Sequence, residues 1–392
     1  MVGCLLNETE RPVIVGALGT SLTFGAEVEN RRATAWPAVL QRLLRARAGS
    51  SNIFVINGAV RASSADLAAL CFDEIWGPAF ADAAGHSRPP RLDLAVIEYT
   101  WTSSPSQIDT LVEALHARAI PVVALLYYHA ANPYRFRLGP KDRTPWKNAD
   151  KVGKQEQHAR VLRRRGVPFF NNSALNARHR MAMLTRSKRH LSKLGHAEIG
   201  ASLATLIADE CDRLAPPTPL PRVPAQVCKL GRAVSHLVAE ANGFALIEPA
   251  DGRTAGYVAT AVNATLTLEV ASRASLTAGF LSFAFERSWK TRASATMHCE
   301  PPCTCTPHTF DAHSGRAAYT YTQRSVPVWI VVPSRGECRV RVSVTRLESG
   351  RFMLSAVTFS GARPGNRSVA INSLYALVDK NGWESGHGPV AR

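Results

Sequence analysis

Two residues of this chain are of a type and placement that suit nucleophilic chemistry: a serine in a tight turn and a histidine far downstream. Ser21 lies in the run Val13-Ile14-Val15-Gly16-Ala17-Leu18-Gly19-Thr20-Ser21-Leu22-Thr23-Phe24-Gly25. The run reads as an apolar strand, a small-residue turn and the start of a helix striped by Trp36, Val39, Leu40, Leu43 and Leu44. Open α/β sheets bind ligands at the carboxyl ends of their strands, where such a turn holds its side chain. The same run also reads as a plain strand–helix connection with Ser21 as the helix N-cap. His190 opens His190-Leu191-Ser192-Lys193-Leu194-Gly195-His196, ahead of a helix bearing Ile199, Leu203, Leu206 and Ile207. A serine needs a base to take its proton, and a histidine before the last helix of an α/β domain can reach over the sheet to supply one. His196 reads as a helix-start residue.

The two segments together resemble the SGNH, or GDSL-type, hydrolases. That family's first block, G-D-S-L-x-x-G, reads here Gly19-Thr20-Ser21-Leu22-Thr23-Phe24-Gly25, and its last, D-x-x-H-P-x-x-x-G-H, reads Ser187-Lys188-Arg189-His190-Leu191-Ser192-Lys193-Leu194-Gly195-His196. The blocks are in the family's order and span the first half of the chain. The resemblance implies Ser21 as nucleophile and His190 as base. Its second block falls on Asn57 to Ser64 and puts Ala62 at the oxyanion glycine, where a backbone N–H is still present. Its third block falls on Glu98-Tyr99-Thr100-Trp101-Thr102-Ser103 and puts Thr102 at the oxyanion asparagine. The oxyanion hole implied is thus Ser21, Ala62 and Thr102. Ser187 stands where the family carries the acid that orients the histidine, so that position is vacant, and its neighbours Lys188, Arg189 and Lys193 are basic. An acid from elsewhere in the fold is left open. From Asn57 through Cys71 to Glu98-Tyr99 the chain looks most like SGNH proteins of unicellular algae with a β-rich C-terminal region.

Elements to position these residues are legible. Strands are expected at Asn52 to Ile56, Leu92 to Ile97, Pro121 to Tyr127 and Gly166 to Phe170, with helices at Asp66 to Phe72 and around Ile108, Leu111, Val112 and Leu115. Such alternation implies a parallel sheet covered on both faces, hence a three-layer α/β domain over 1–214. Tyr127 to Trp146 is a polar loop suited to walling a cleft. Five prolines between Ala215 and Pro224 make a stiff spacer, and 215–239 is the expected linker and lead-in. Beyond it the period becomes two, at Thr265 to Val270, Leu281 to Phe285 and Cys338 to Val344. With Val328 to Val332 and Phe352 to Phe359, these predict a mainly antiparallel β-sandwich over 240–362 and a tail over 363–392.

Composition narrows the class. With 46% hydrophobic and 20% charged residues in 392, the chain folds and is long enough for two cores. No apolar stretch reaches the roughly 20 residues that span a bilayer, and the N-terminus shows no signal-peptide pattern. The net charge of +17 reads either as a solvated basic face or as a partner surface for an acidic glycan or an anionic membrane surface. No nucleic-acid motif accompanies it. Cys299, Cys303, Cys305 and Cys338 cluster, and disulfides in an oxidising compartment fit them better than zinc, even with His298, His308 and His313 nearby. Sequons at Asn7, Asn171, Asn263 and Asn366 agree with a secretory or extracellular location. No metal or cofactor is expected. The resulting expectation is a serine esterase or deacetylase acting on an O-acylated glycan or small ester. The alternative is a weakly active or silent SGNH-fold protein that binds acidic glycans at the cell surface.

Overall fold

The apolar runs of the first half become the strands of one parallel sheet: β1 (Val13–Gly19), β2 (Ile53–Asn57), β3 (Leu94–Glu98), β4 (Val122–Leu126) and β5 (Phe169–Asn171). Their order is β2-β1-β3-β4-β5, with every pairing parallel. β1, β3 and β4 are buried at every position, as strands covered on both faces must be. The computed structural model describes residues 11–61, 63–76, 92–100, 102–127, 146–172, 182–185, 190–210, 214, 226–248, 255–271, 278–288, 290–313, 322–331 and 337–360. The chain divides into two compact units, Met1–Val223 and Pro224–Arg392.

The helix expected directly after Ser21 is broken into three. α1 (Ser21–Phe24) ends after one turn at Gly25, whose φ of 80° is a left-handed cap, and α2 (Arg31–Thr34) and α3 (Trp36–Ala48) follow. A Cβ on Gly25 would also come within 2.8 Å of the Ala35 Cβ, so the chain folds back tightly there. Further along lie α4 (Ala65–Leu70), α5 (Pro105–His116), α6 (Trp146–Arg164) and α7 (Lys193–Asp209). α5 opens on a capping box of Ser104 and Gln107 and buries Ile108, Leu111, Val112 and Leu115, the stripe read from sequence. The cleft-wall loop expected up to Trp146 lies largely outside the described residues, as does the proline spacer.

The second unit is two antiparallel sheets. Its strands are β6 (Gln226–Leu230), β7 (Val238–Asn242), β8 (Phe244–Ile247), β9 (Gly256–Ala259), β10 (Thr265–Ala271), β11 (Ala278–Arg287), β12 (Arg292–Cys299), β13 (Thr304–Cys305), β14 (His308–Asp311), β15 (Thr322–Val331), β16 (Glu337–Ser349) and β17 (Phe352–Ser360). One sheet runs β14-β12-β16-β10-β7; the other runs β13-β15-β11-β17-β9-β8 with β6 also on β17. The stretch 215–239, expected as linker and lead-in, therefore contains β6, a 3₁₀ helix over Gly231–Leu237 and the first residues of β7. β6 is claimed by the edge of β17, where Leu230 pairs with Ala356. Phe310 from one sheet packs on Phe283 and Phe285 from the other, each at 5.4 Å between centroids.

Cys299 is bonded to Cys305 and Cys303 to Cys338, so none of the four offers a thiolate to zinc. Cys71 and Cys228 are disulfide-bonded as well. Disulfides at this density belong to oxidising compartments. Among the described residues, no helix is long and apolar enough to cross a membrane. The expected tail, 363–392, lies outside the described residues.

Candidate active site

Ser21 is the first residue of α1, two residues beyond the end of β1 between β2 and β3. The cap is Thr20, not Ser21: the Thr20 hydroxyl accepts from the Leu22 N–H at 3.4 Å. That leaves the Ser21 side chain free of the capping duty the simpler reading gave it. Beneath the turn lies Glu98, fully buried at the end of β3 and in register with Gly19. Glu98 Oε2 accepts from the Thr20 N–H at 3.1 Å, the Thr20 hydroxyl at 2.8 Å and the Thr23 hydroxyl at 3.1 Å. One carboxylate oxygen thus ties down the chain on both sides of Ser21. Gly19 is required beside it, because a Cβ there would collide with the Thr23 hydroxyl. Burial outweighs these hydrogen bonds and pushes the Glu98 carboxyl up to about 7.

His190 arrives from the other end of the domain. Its Nε2 lies 3.0 Å from Ser21 Oγ, within hydrogen-bond reach. Its Nδ1 lies 2.8 Å from Glu27 Oε1, while Glu27 Oε2 accepts from the Thr185 hydroxyl at 2.8 Å. Glu27 follows the tight turn after α1 and adopts a φ of 67°, a strained value for a non-glycine residue. The segments around Thr185 and His190 are bridged at Leu184 and Leu191, and the Thr185 N–H donates to the His190 carbonyl at 2.8 Å. Glu27 therefore braces both sides of the histidine segment. The Glu27 carboxylate charge beside Nδ1 favours a proton on that nitrogen, which leaves Nε2 able to accept the serine proton. Ser187, the vacant acid position of the resemblance, lies outside the described residues. The acid-side contact comes instead from Glu27, which no pattern around His190 announces.

His196 serves α3. Its Nδ1 accepts the otherwise orphaned Trp36 N–H at 3.1 Å, and burial, helped by the charge at His190, pushes its imidazole down to about 4. A neutral, fully buried ring with that duty is structural.

Of the two loops expected to bind an oxyanion, the one that begins at Asn57 contacts the same turn. The Val60 N–H donates to the Gly19 carbonyl at 3.0 Å, and the Asn57 side-chain amide donates to the Thr23 carbonyl at 2.9 Å. Ala62 itself lies outside the described residues. Thr102 caps its own turn, with its N–H 3.1 Å and its hydroxyl 3.5 Å from the Tyr99 carbonyl. Neighbouring Ser103 accepts the Ala65 N–H at 2.8 Å, which links this loop to the one carrying Ala62. The Ser21 N–H, at the first helical position, has no intrahelical acceptor and is available to a ligand oxygen. A hydroxyl, an imidazole and a carboxylate in series beside the Ser21 N–H can carry out acyl transfer.

No protein-family model and no curated protein matches the sequence. Solved structures do. A two-domain esterase (CEX) active on acetylated mannans, co-crystallised with mannopentaose, matches at 13% identity with a TM-score of 0.60 over 91% of this chain and 92% of that one. A second structure of such a two-domain esterase matches at 14% and 0.57 over 89% and 92%. The psychrotrophic esterase EstA from Pseudoalteromonas sp. matches at 14% over 51% of this chain and 98% of its own, with a TM-score of 0.36. At these identities the likeness establishes the fold: an α/β domain followed by an antiparallel β domain, as in that two-domain esterase.

Proposed function

We propose that this protein is a serine ester hydrolase that removes acyl groups from an O-acylated glycan through an acyl-enzyme on Ser21. The observation that carries the reading is the series Ser21 Oγ, His190 and Glu27, with contacts of 3.0 and 2.8 Å. His190 Nε2 takes the proton as Ser21 Oγ attacks the ester carbonyl. The resulting oxyanion receives the N–H groups of Ser21 and Ala62, with the Thr102 hydroxyl turning to it from a contact too long to hold it. His190 then protonates the departing sugar hydroxyl. Water, deprotonated by the same imidazole, attacks the acyl-enzyme and releases the acid with Ser21 restored. Glu27 holds the ring and stabilises its cationic form.

The rival reading, a silent glycan-binding protein, rests on the departures at Ala62, Thr102 and Ser187 together with the appended sandwich and the basic charge. Glu27 supplies what Ser187 lacks, and a backbone N–H at Ala62 serves as well as one at glycine. The resemblance in fold to an esterase active on acetylated mannans supports a glycan as the alcohol side. The disulfides support a secretory or extracellular location, where such glycans are met. The test is hydrolysis of soluble aryl acetates and release of acetate from acetylated glucomannan by wild type and Ser21→Ala. Ser21→Ala is expected to lose roughly 10⁴-fold or more in kcat. Equal hydrolysis by both proteins removes Ser21 from the mechanism.

A further inference from the structure

Glu27 stands beside His190 without the burial that usually keeps a carboxylate in place. It lies on the turn after α1, and its side chain is 38% accessible against 17% for that of His190. A glutamate has three side-chain torsions, and an exposed one samples rotamers that carry its carboxylate away from any single partner. Keeping Oε1 2.8 Å from His190 Nδ1 therefore calls for a second hold on the same carboxylate.

Thr185 supplies that hold. Its hydroxyl donates at 2.8 Å to Glu27 Oε2, while the other oxygen, Oε1, faces the imidazole. The hydroxyl is itself placed by backbone. The Thr185 N–H donates to the His190 carbonyl at 2.8 Å, Leu184 forms an antiparallel bridge with Leu191, and the Ser192 N–H donates to the Met183 carbonyl at 2.7 Å. Branching at Cβ restricts the Thr185 side chain further. The base and the group that grips its carboxylate thus belong to one hydrogen-bonded piece of chain. The two oxygens of Glu27 meet neighbours whose spacing that backbone sets.

Resting on the esterase reading above, we propose that Thr185 is a positioning residue, whose hydroxyl holds Glu27 in the rotamer that places Oε1 beside His190. Its part in the reaction runs through Glu27 alone.

Thr185→Val keeps the shape of the side chain and removes the hydroxyl, whereas Thr185→Ser keeps the hydroxyl. On an aryl acetate, T185V is expected to lose about tenfold in kcat with little change in KM, and T185S to stay within about threefold of wild type. In the E27Q background, which already lacks the charge, adding T185V is expected to cost less than about twofold, because both substitutions act on one interaction. T185V with wild-type kcat overturns the proposal. So does a loss that persists undiminished in E27Q, or one that T185S shows in full, since either places the effect outside the Glu27 contact. Failure of the esterase reading looks different: wild type and Ser21→Ala would then hydrolyse the ester equally. The crystal structure of T185V needs no turnover and decides the positioning in that event too. Glu27 turned away from His190 supports it, and Glu27 unmoved overturns it.

Discussion

The two units bury different kinds of polar group. Among the described residues, the interior of the α/β unit holds Glu98, Asp66, Asp93, His158, His196, Gln155 and Asn172 besides its hydroxyls, whereas the buried polar side chains of the sandwich are Thr267, Ser282, Ser288, Thr291, Ser294 and Ser355. Burying an ionisable group opposes folding unless it is well paired. Glu98 shows that cost directly in its raised affinity for a proton. What the α/β unit gains is position: Glu98 ties the turn of Ser21, His196 ties the start of α3, and His158 Nε2 lies 3.2 Å from the Ser103 carbonyl beside the expected oxyanion loop. The sandwich instead joins its strands with apolar side chains and disulfides. One interior places ionisable groups beside the candidate site, and the other is packed with apolar and hydroxyl side chains.

The sharpest way to break that contrast is at Glu27. Glu27→Gln keeps the shape of the side chain and removes the charge beside His190. It is expected to lower kcat roughly 10³–10⁴-fold, about 4–5.5 kcal/mol of transition-state stabilisation, with little change in KM. Steady-state kinetics on an aryl acetate reads this, and a variant within about tenfold of wild type would remove Glu27 from the mechanism.

In the sandwich the expected effect is on stability alone. Replacing Cys303 and Cys338 with alanine opens a disulfide spanning 35 residues of sequence. The loss is expected to be about 2–4 kcal/mol in denaturant unfolding of that unit. Hydrolysis at Ser21 should be unaffected below the transition. A fall in kcat without a fall in stability would show that the division of labour is wrong.

Glu98 gives a smaller effect that depends on pH. Its carboxyl sits near 7 in the folded protein against 4.5 as a free group, so the native state holds its proton across that window. Stability therefore falls as pH rises from 4.5 through 7, by up to about 3 kcal/mol when ionisation is complete. Glu98→Gln cannot ionise, so it should gain on wild type between about pH 5 and about pH 8 in urea midpoint. Parallel pH profiles for the two proteins would show that Glu98 is not the group responsible.

Much of this was legible in the chain because the elements advertise their burial. β1 and β4 are unbroken apolar runs, β3 is apolar up to Glu98, and β10, β11 and β16 alternate large apolar residues with polar ones. Other elements conceal theirs. β12 turns Ala293, Ala295 and Met297 inward, and two alanines give little hydrophobic signal. α6 buries Gln155 and His158 along with Ala159 and Leu162, so polar residues interrupt its stripe. At the site, Ser21 and His190 stood in a recognisable order, and they meet. Glu27 did not stand out, because its place beside His190 depends on a left-handed turn after α1 and on a partner distant in sequence. Tertiary geometry decides that contact, and no local spacing encodes it.

The central claim is that His190 and Glu27 make Ser21 a nucleophile, and a serine-directed fluorophosphonate tests it without knowledge of the substrate. Intact-mass and peptide mapping of the folded protein should find stoichiometric labelling on the peptide carrying Ser21. His190→Ala, folded to the same degree, should label far more slowly. Wild-type protein that stays unlabelled at Ser21, or that labels as fast without His190 as with it, would contradict the account.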